Sequence, residues 1–307
     1  MSGGLIVIGN SYYSNYWGLV SIYRASDGVL LKQFSGSGSN DYLGYSVAID
    51  GDTVVAGAWE WPNEGFAKVY RTPDGGDTWT TAATLTASDG AKNDYFGRSV
   101  AVAGDTIFVG AYGDDDDGTN SGSVYVFRTT DGGATYDEVE TLKASSPKAG
   151  ANFGNALAAD GDTLVIGAYS DNSYKGAVYV FRKSGSTYAQ VARLTGSGVA
   201  SDDEFGTSVD VSGDTIVVGT EYTDAAFVYR TSDGGATWAA VTTLEGSDDF
   251  GQSVAIDGDT IVIGASGGDA TYVYRTSDGG ATYAEVAKLT APESLSPENY
   301  GDWAYFG

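Results

Sequence analysis

Hydrophobic residues recur in one fixed order along the chain, most clearly in FGQSVAIDGDTIVIGA, residues 250–265. The segment SVAI, residues 253–256, alternates small and apolar side chains, which predicts a short strand. The pair Asp257-Gly258 predicts a two-residue hairpin turn after it. The next segment, TIVIGA, is a continuous apolar run and predicts a strand that is buried on both faces.

The pattern then alternates again. ATYVYRT, residues 270–276, alternates aromatic and small side chains and predicts a third strand. SDGGAT follows as a glycine-containing turn. TYAEVAKL, residues 282–289, predicts a fourth strand with a polar outer face. The unit is therefore expected to form four short antiparallel strands.

This phrase is written six times. Complete copies begin at Leu43, Phe96, Phe153, Phe205 and Phe250. The segment YGDWAYFG, residues 300–307, supplies the first half of a sixth copy, and LIVIGN, residues 5–10, supplies its second half. We therefore expect one domain over residues 1–307, with one unit completed by 300–307 and 1–43 and further units starting near 43, 96, 153, 205 and 250.

Four strands in a period of about 50 residues, with small side chains on the innermost strand, are typical of the blade of a β-propeller. The predicted fold class is all-β, a six-bladed β-propeller with four antiparallel strands per blade and one blade closed between the N- and C-termini. Such closure removes free sheet edges. The alternative is a linear solenoid, but its end repeats should be atypical caps, whereas here the two ends complete one another.

The phrase F-G-x-S-V-A-x-x-G-D-T, followed by an apolar run ending in G-A, resembles the FG-GAP repeat of the integrin α-subunit head and of many bacterial and algal surface proteins. The resemblance covers the whole chain and implies a module that binds a protein or surface ligand, in an extracellular or cell-surface location. Integrin heads have seven blades, whereas six are counted here. Their calcium loops lie between the first and second strands, where this chain has only tight turns such as Asp257-Gly258-Asp259, so those calcium sites are not carried over.

The turns between the third and fourth strands carry a second resemblance. TPDGGDTW, TTDGGATY, TSDGGATW and TSDGGATY, starting at Thr72, Thr129, Thr231 and Thr276, are similar to the Asp-box of sialidases and other propellers. The aspartate is expected to accept backbone N–H groups and the glycines to supply positive φ. An arginine closes the third strand three residues before such an aspartate, as with Arg230 and Asp233, and we expect the turn to bring the two together. The arginines at this position are Arg24, Arg71, Arg128, Arg182, Arg230 and Arg275.

Composition narrows the classes of partner. The 307 residues include 41 acidic and 16 basic side chains, a net charge of −25, which opposes binding to nucleic acid or anionic lipid and favours a neutral or cationic partner. There is no cysteine or histidine, so oxygen atoms must hold any metal. No run approaches the roughly 20 apolar residues of a membrane helix, and the opening MSGGLIVIGN lacks the features of a signal peptide. We expect a monomer without membrane insertion; the compartment stays open.

The copies differ most in the loops that join the second and third strands, so we expect these loops to form the binding face. Aromatic residues are concentrated in them, and exposed rings are typical of contact with a sugar or an apolar side chain. The alternative is that the rings pack on one another and shield the core. The candidate ligand-binding residues are Tyr12, Tyr13, Tyr16, Trp17, Trp59, Trp61, Tyr112, Tyr169, Tyr174 and Tyr222.

Carboxylates occur at two places on this face. The run Asp114, Asp115, Asp116 and Asp117, with Asn120, offers several oxygen ligands to Ca²⁺, although a solvated acidic loop is the alternative. A rim of acids just before the FG pairs is expected to attract a cation or a basic peptide, or only to promote solubility. The rim consists of Asp41, Asp94, Asp202, Asp203, Glu204, Asp248, Asp249 and Glu298.

Three functions are considered. The first is a non-catalytic binding or adhesion module that recognises a protein or surface ligand through the loop face. The second is a lectin that uses the loop aromatics. The third is a glycoside hydrolase of the sialidase type, for which resemblance implies three converging arginines, whereas only Arg98 and Arg193 lie outside the repeat position. We therefore expect no enzyme activity, and no cofactor other than Ca²⁺ at the acidic loop.

Overall fold

The computed structural model describes residues 3–59 and 64–290, a region of short strands joined by turns. The first sheet contains β1 (Leu5–Asn10), β2 (Leu19–Arg24) and β3 (Leu30–Ser35). The second contains β4 (Ser46–Asp50), β5 (Thr53–Ala58), β6 (Phe66–Arg71) and β7 (Thr80–Leu85). The third contains β8 (Ser99–Ala103), β9 (Thr106–Ala111), β10 (Ser123–Arg128) and β11 (Asp137–Leu142).

Three more groups of strands follow in the same order. The fourth is β12 (Leu157–Asp160), β13 (Thr163–Ala168), β14 (Ala177–Ser184) and β15 (Thr187–Leu194). The fifth is β16 (Val209–Ser212), β17 (Thr215–Gly219), β18 (Ala225–Arg230) and β19 (Ala239–Glu245). The sixth is β20 (Phe250–Asp257), β21 (Thr260–Ala265), β22 (Ala270–Arg275) and β23 (Ala284–Thr290). Single helical turns are α1 (Tyr13–Tyr16), α2 (Asp171–Tyr174) and a 3₁₀ turn (Ser266–Gly268).

Six antiparallel sheets of this kind confirm the predicted fold class, a six-bladed β-propeller. Five sheets have four strands and the first has three. The innermost strand of that sheet was predicted from residues 300–307, which lie outside the described residues. The second strands β5, β9 and β13 are buried at every position, as their continuous apolar sequences predicted. The prediction is wrong for β21, where buried and partly buried positions alternate.

The predicted hairpin turn is wrong by one residue. Asp257 pairs with Thr260 in the β20–β21 ladder, so the two turn residues are Gly258 and Asp259. Gly258 takes the positive φ of 54° that this tight turn requires and that glycine adopts without steric cost. The aspartate that the sequence placed in the turn is therefore the last residue of the strand.

Contacts divide the chain into two compact units. The first comprises Met1–Asp162 and Lys183–Tyr188, and the second comprises Thr163–Arg182 and Ala189–Gly307. In the first unit, Phe96 is fully buried between the second and third sheets and meets the rings of Tyr125 and Phe127 edge-on, with ring centres 5.5 and 6.0 Å away. In the second unit, Phe250 packs against Tyr272 in the same way, at 5.1 Å.

The FG phenylalanine thus packs between a sheet and its neighbour. Burying one such ring contributes about 1.5–3 kcal/mol to the free energy of unfolding. The serine two positions after the FG glycine adds a hydrogen bond in the same interface. The Oγ of Ser46 donates to the carbonyl oxygen of Gly97 at 2.9 Å, and the Oγ of Ser99 donates to that of Gly154 at 2.6 Å. The phrase is repeated because each copy builds one interface between sheets.

The arginines at the repeat position differ from the prediction. Arg24 does pair with Asp27 of its own turn, at 3.0 Å. Arg71 instead donates to the hydroxyl of Tyr136, and Arg230 donates to the carbonyl oxygen of Gly279, both in the turn of the following sheet. The turn aspartates are bound by threonines: the hydroxyl and backbone N–H of Thr237 donate to Asp233 and lower the pKa of that carboxyl to about 2. Arg71 and Arg230 therefore link neighbouring sheets, whereas Arg182 donates to Thr163 Oγ1 of its own sheet at 2.7 Å.

Candidate functional site

An aromatic network covers the loop side of the first unit. Trp59, at the start of a loop between second and third strands, stacks on Tyr42 with ring centres 4.7 Å apart. It also meets Tyr95 and Tyr45 edge-on, at 5.7 and 5.8 Å. The network continues outwards on both sides, and we call the whole set the aromatic cluster. It consists of Tyr12, Tyr16, Tyr42, Tyr45, Trp59, Tyr95 and Tyr112.

One end of the cluster is held by an unusual turn. Ser14, Asn15 and Tyr16 all have left-handed backbone conformations, with φ of 50°, 62° and 64°. Left-handed backbone costs roughly 1–2 kcal/mol per non-glycine residue, so other contacts must hold this turn in place. The carbonyl oxygen of Tyr16 accepts a hydrogen bond from the backbone N–H of Tyr42 at 2.9 Å. That bond brings the ring of Tyr16 to 5.2 Å from the ring of Tyr42.

Four members of the site were missed by the sequence analysis, which assigned the FG phrase to the scaffold. Tyr42 and Tyr95 directly precede the FG pairs, and Tyr45 and Arg98 directly follow them. The residue before the pair is left-handed in all five described copies: Tyr42, Tyr95, Asn152, Glu204 and Asp249. Only two adjacent copies carry tyrosine there, and this difference between copies is the signal that could have identified them.

Arg98 is part of the same surface. Its guanidinium carbon lies 4.2 Å from the ring centre of Tyr45 and 5.7 Å from that of Tyr112. Tyr112 in turn stacks on Tyr95, with ring planes 13° apart and centres separated by 5.0 Å. Cation–π contacts of this type contribute about 0.5–1 kcal/mol at exposed sites. They hold the flexible arginine side chain against the rings.

The remaining aromatic candidates lie outside this network. Among the described residues, Tyr13 and Tyr222 make no ring contact, although the side chain of Tyr222 is 65 % exposed. The indole N–H of Trp17 donates to Ser39 Oγ at 3.2 Å. In the second unit, Tyr169 and Tyr174 form a separate pair with ring centres 6.3 Å apart. Trp61 lies outside the described residues.

The acidic loop does not gather its carboxylates around one point. Asp114 is buried, and its side chain accepts hydrogen bonds from the Tyr125 hydroxyl at 2.8 Å and from the N–H of Asp116 at 2.9 Å. Asp116 and Asp117 both contact the Lys143 ammonium, at 3.1 and 3.2 Å.

The other two residues of the proposed calcium site are also bonded within the loop. Asp115 accepts the N–H of Asn120 at 2.6 Å. Over residues 3–59 and 64–290, no group of three or more acidic side chains is placed to hold a metal ion. Calcium at this loop stays a prediction.

Part of the acidic rim closes its own loops. The carboxylate of Asp41 accepts the backbone N–H groups of Ser37 and Gly38, at 2.8 and 2.9 Å. Asp94 and Asp203 accept one N–H each, from Ala91 and Ala200, both at 2.6 Å. These three carboxylates hold the connections between sheets. Glu298 lies outside the described residues.

Glu204, in the second unit, is a rim carboxylate whose pKa is raised. Burial, together with the nearby charges of Glu221 and Asp202, raises the pKa of Glu204 to about 7. Its backbone N–H donates to the carbonyl oxygen of Tyr174 at 2.8 Å, which holds the residue at this position. Glu221 is itself bound by the side-chain amide of Gln252 at 2.7 Å. The second unit therefore places several carboxylates close together on its loop side.

Comparison with known proteins gives one positive finding. A family model described as the FG-GAP repeat matches residues 35–69, 79–127, 136–181, 188–238 and 244–284, which together make up more than half of the chain. A search of curated proteins finds no match. Within the described part of the chain, no helix combines the length and apolar character needed to cross a bilayer.

Proposed function

The chain belongs to the FG-GAP repeat family, and from that premise we propose that it is a non-catalytic binding module that recognises a protein ligand through its loop side. The observation that carries this proposal is the aromatic cluster. Its seven rings come from loops and FG flanks of three consecutive sheets and are connected ring to ring.

The exposure of the rings, which increases from the middle of the cluster to its edge at Tyr12, supports a role in binding. Trp59, Tyr42, Tyr95 and Tyr112 are half-buried, whereas the side chain of Tyr12 is 56 % exposed at the edge of the cluster. Tyrosine and tryptophan dominate the energetics of protein interfaces because each offers a large contact area with few rotatable bonds. Rings that are already packed on one another lose little further freedom when a ligand binds, which favours affinity.

One further observation supports a non-catalytic role. A sialidase needs three arginines that are free to converge on a substrate carboxylate. Arg193 is engaged with the buried Asp171 at 2.7 Å, so of the two arginines outside the repeat position just one, Arg98, is left to contact such a carboxylate.

A lectin is the second candidate, and one observation favours it. Polar groups lie beside the exposed rings: Asn15 and Trp17 both donate to Ser39 Oγ, at 3.2 Å each. Sugar rings stack on aromatic faces while amide and hydroxyl groups bind their hydroxyls. A carbohydrate would therefore find both kinds of contact next to Tyr16.

Two screens of the purified chain separate the candidates: a displayed library of random peptides and a broad glycan array. We expect peptide binders whose affinity falls about thirtyfold or more on Trp59→Ala, the effect of losing one central interface aromatic. Trp238→Ala is the matched control, because Trp238 is also a half-buried tryptophan but lies in the turn between β18 and β19, outside the cluster, and it should leave binding unchanged. Glycan binders that depend on Trp59, with no such peptides, would establish the lectin instead.

A further inference from the structure

Resting on the proposed function, we infer that Arg98 binds a carboxylate of the protein ligand, an aspartate or glutamate side chain set in an otherwise neutral or basic segment. The guanidinium carbon of Arg98 lies 4.2 Å from the ring centre of Tyr45 and 5.7 Å from that of Tyr112. The backbone of Arg98 is fixed as well, because its N–H donates to the carbonyl oxygen of Tyr95 at 3.1 Å. The cation is therefore held within the aromatic cluster.

The N–H donors of this guanidinium are not used inside the described chain. Arg98 makes no side-chain hydrogen bond or ion pair with residues 3–59 or 64–290, although the chain has 41 acidic side chains against 16 basic ones. Arg24 and Arg193 both pair with carboxylates, and Arg71 and Arg230 donate to neighbouring turns. Within the described residues, Arg128 and Arg275 likewise make no side-chain hydrogen bond or ion pair, but they close third strands outside the aromatic cluster. Arg98 is thus the unpaired arginine of the candidate site.

The shape of the guanidinium explains which chemical group would bind. The group is planar, and its N–H donors point outwards in that plane. That planar fork matches the two oxygens of a carboxylate, which it binds through two parallel hydrogen bonds. Because the tyrosine rings already hold the side chain, little rotational freedom remains to be lost when such a carboxylate binds.

Net charge decides what surrounds the carboxylate. A chain with a charge of −25 repels polyanions such as acidic polysaccharides over the Debye length of about 8 Å at physiological salt. One carboxylate in a neutral or basic peptide can accept hydrogen bonds from the Arg98 guanidinium, and the rest of such a peptide is not repelled by the chain. The charge of the whole chain therefore favours a protein ligand over an acidic glycan.

The test uses peptides selected from the displayed library on the full chain, each synthesised with its acidic residue and with the matching amide. We expect the change from acid to amide to weaken binding about tenfold or more on the unmodified protein, and less than about twofold on Arg98→Gln. Arg98→Lys keeps the charge without the planar fork and should recover only part of the affinity. Arg24→Gln is the matched control. It removes the same charge, but Arg24 is the last residue of β2, at the end of that strand farther from the loop that carries Tyr12 and Tyr16.

The outcomes are distinguishable from those of the proposed function. Peptides that require Trp59 but bind Arg98→Gln as well as the unmodified protein overturn the inference and leave the proposed function standing. Equal losses from acid to amide on both proteins also overturn it. A library without Trp59-dependent peptides overturns both, and an acidic glycan that requires Arg98 would replace the protein ligand by a carbohydrate.

Discussion

Single residues on the loop side are held in backbone conformations that their side chains rarely adopt. Tyr42 and Tyr95 have φ of 54° and 58°, and left-handed backbone costs of order 1–3 kcal/mol for a non-glycine residue. The consecutive left-handed residues Ser14, Asn15 and Tyr16 add to this strain. The same strain recurs in other copies, at Asn152, Glu204 and Asp249 before their FG pairs, so it belongs to the repeat, and at Tyr42 and Tyr95 the repeat uses it to present an aromatic ring.

Glu204 gives a prediction at the same scale, the replacement Glu204→Gln. Burial and nearby acids raise the pKa of this carboxyl from 4.5 to about 7, so the folded state binds the proton more tightly than the unfolded state. Its contribution to stability is therefore fully present below about pH 4.5 and is lost as the pH rises through about 7. Glutamine resembles the protonated acid at every pH, so the variant should become the more stable protein at high pH.

Melting temperatures measured at about pH 5 and about pH 8 check this expectation. The melting temperature of Glu204→Gln relative to the unmodified protein should rise with pH. Glu245→Gln, at an exposed position at the end of β19, is the control and should show no such rise. A gap for Glu204→Gln that is the same at both pH values would contradict the prediction.

At the scale of elements, glycine pairs set how closely one sheet approaches the next. A Cβ on Gly57 in β5 would collide with the carbonyl oxygen of Gly97, and a Cβ on Gly97 would lie 2.9 Å from the backbone nitrogen of Ala58. Gly97 also has a φ of 89°. The second strand of one sheet and the FG segment of the next therefore meet backbone to backbone.

The replacement Gly97→Ala should destabilise the fold by about 2–4 kcal/mol, because it adds both a clash and a strained φ. Gly104→Ala is the matched control: Gly104 also has positive φ, 55°, but a Cβ there would meet no atom within 4 Å. The control should lose only about 1 kcal/mol. Chemical denaturation of the two variants gives both values, and similar losses would show that backbone strain alone matters at Gly97.

Elements were easier to predict from the sequence than the site. The strands follow from apolar spacing: Thr53–Ala58 and Thr106–Ala111 are buried at every position as their pattern requires, whereas buried and partly buried positions alternate in Thr260–Ala265. Trp59 was predicted because loops that vary between copies stand out against a repeat. Tyr42, Tyr95 and Arg98 were not, because they lie within the repeated phrase and reach the site only through left-handed backbone and packing between sheets.

At the scale of the whole molecule, charge is the dominant property. A net charge of −25 on 307 residues means that carboxylates repel one another in the folded state. Lys143 relieves this repulsion locally by contacting Asp116 and Asp117. Arg24 and Arg193 do the same for Asp27 and Asp171. With 16 basic residues against 41 acidic ones, most of the remaining repulsion has to be screened by dissolved ions.

The melting temperature should therefore rise when salt is increased from about 0.01 M to about 0.15 M, a change that shortens the Debye length from about 30 Å to about 8 Å. If the acidic loop is solvated, Ca²⁺ and Mg²⁺ at equal ionic strength should act alike, because the Lys143 ammonium already contacts Asp116 and Asp117. Scanning calorimetry in each salt measures these shifts. A larger shift with Ca²⁺ that disappears in Asp116→Asn would instead establish a calcium site at the acidic loop.

The hydrogen bonds from Ser46 to Gly97 and from Ser99 to Gly154 join equivalent positions of the repeat. In each, the serine hydroxyl of one copy donates to the FG glycine carbonyl of the next copy. A unit copied whole would bring a donor for one neighbour and an acceptor for the other, so it could be inserted without inventing a new interface. Duplication or loss of a complete repeat in the gene should therefore be tolerated far better than an insertion within one of its strands. The number of blades is then a property that evolution can change in single steps.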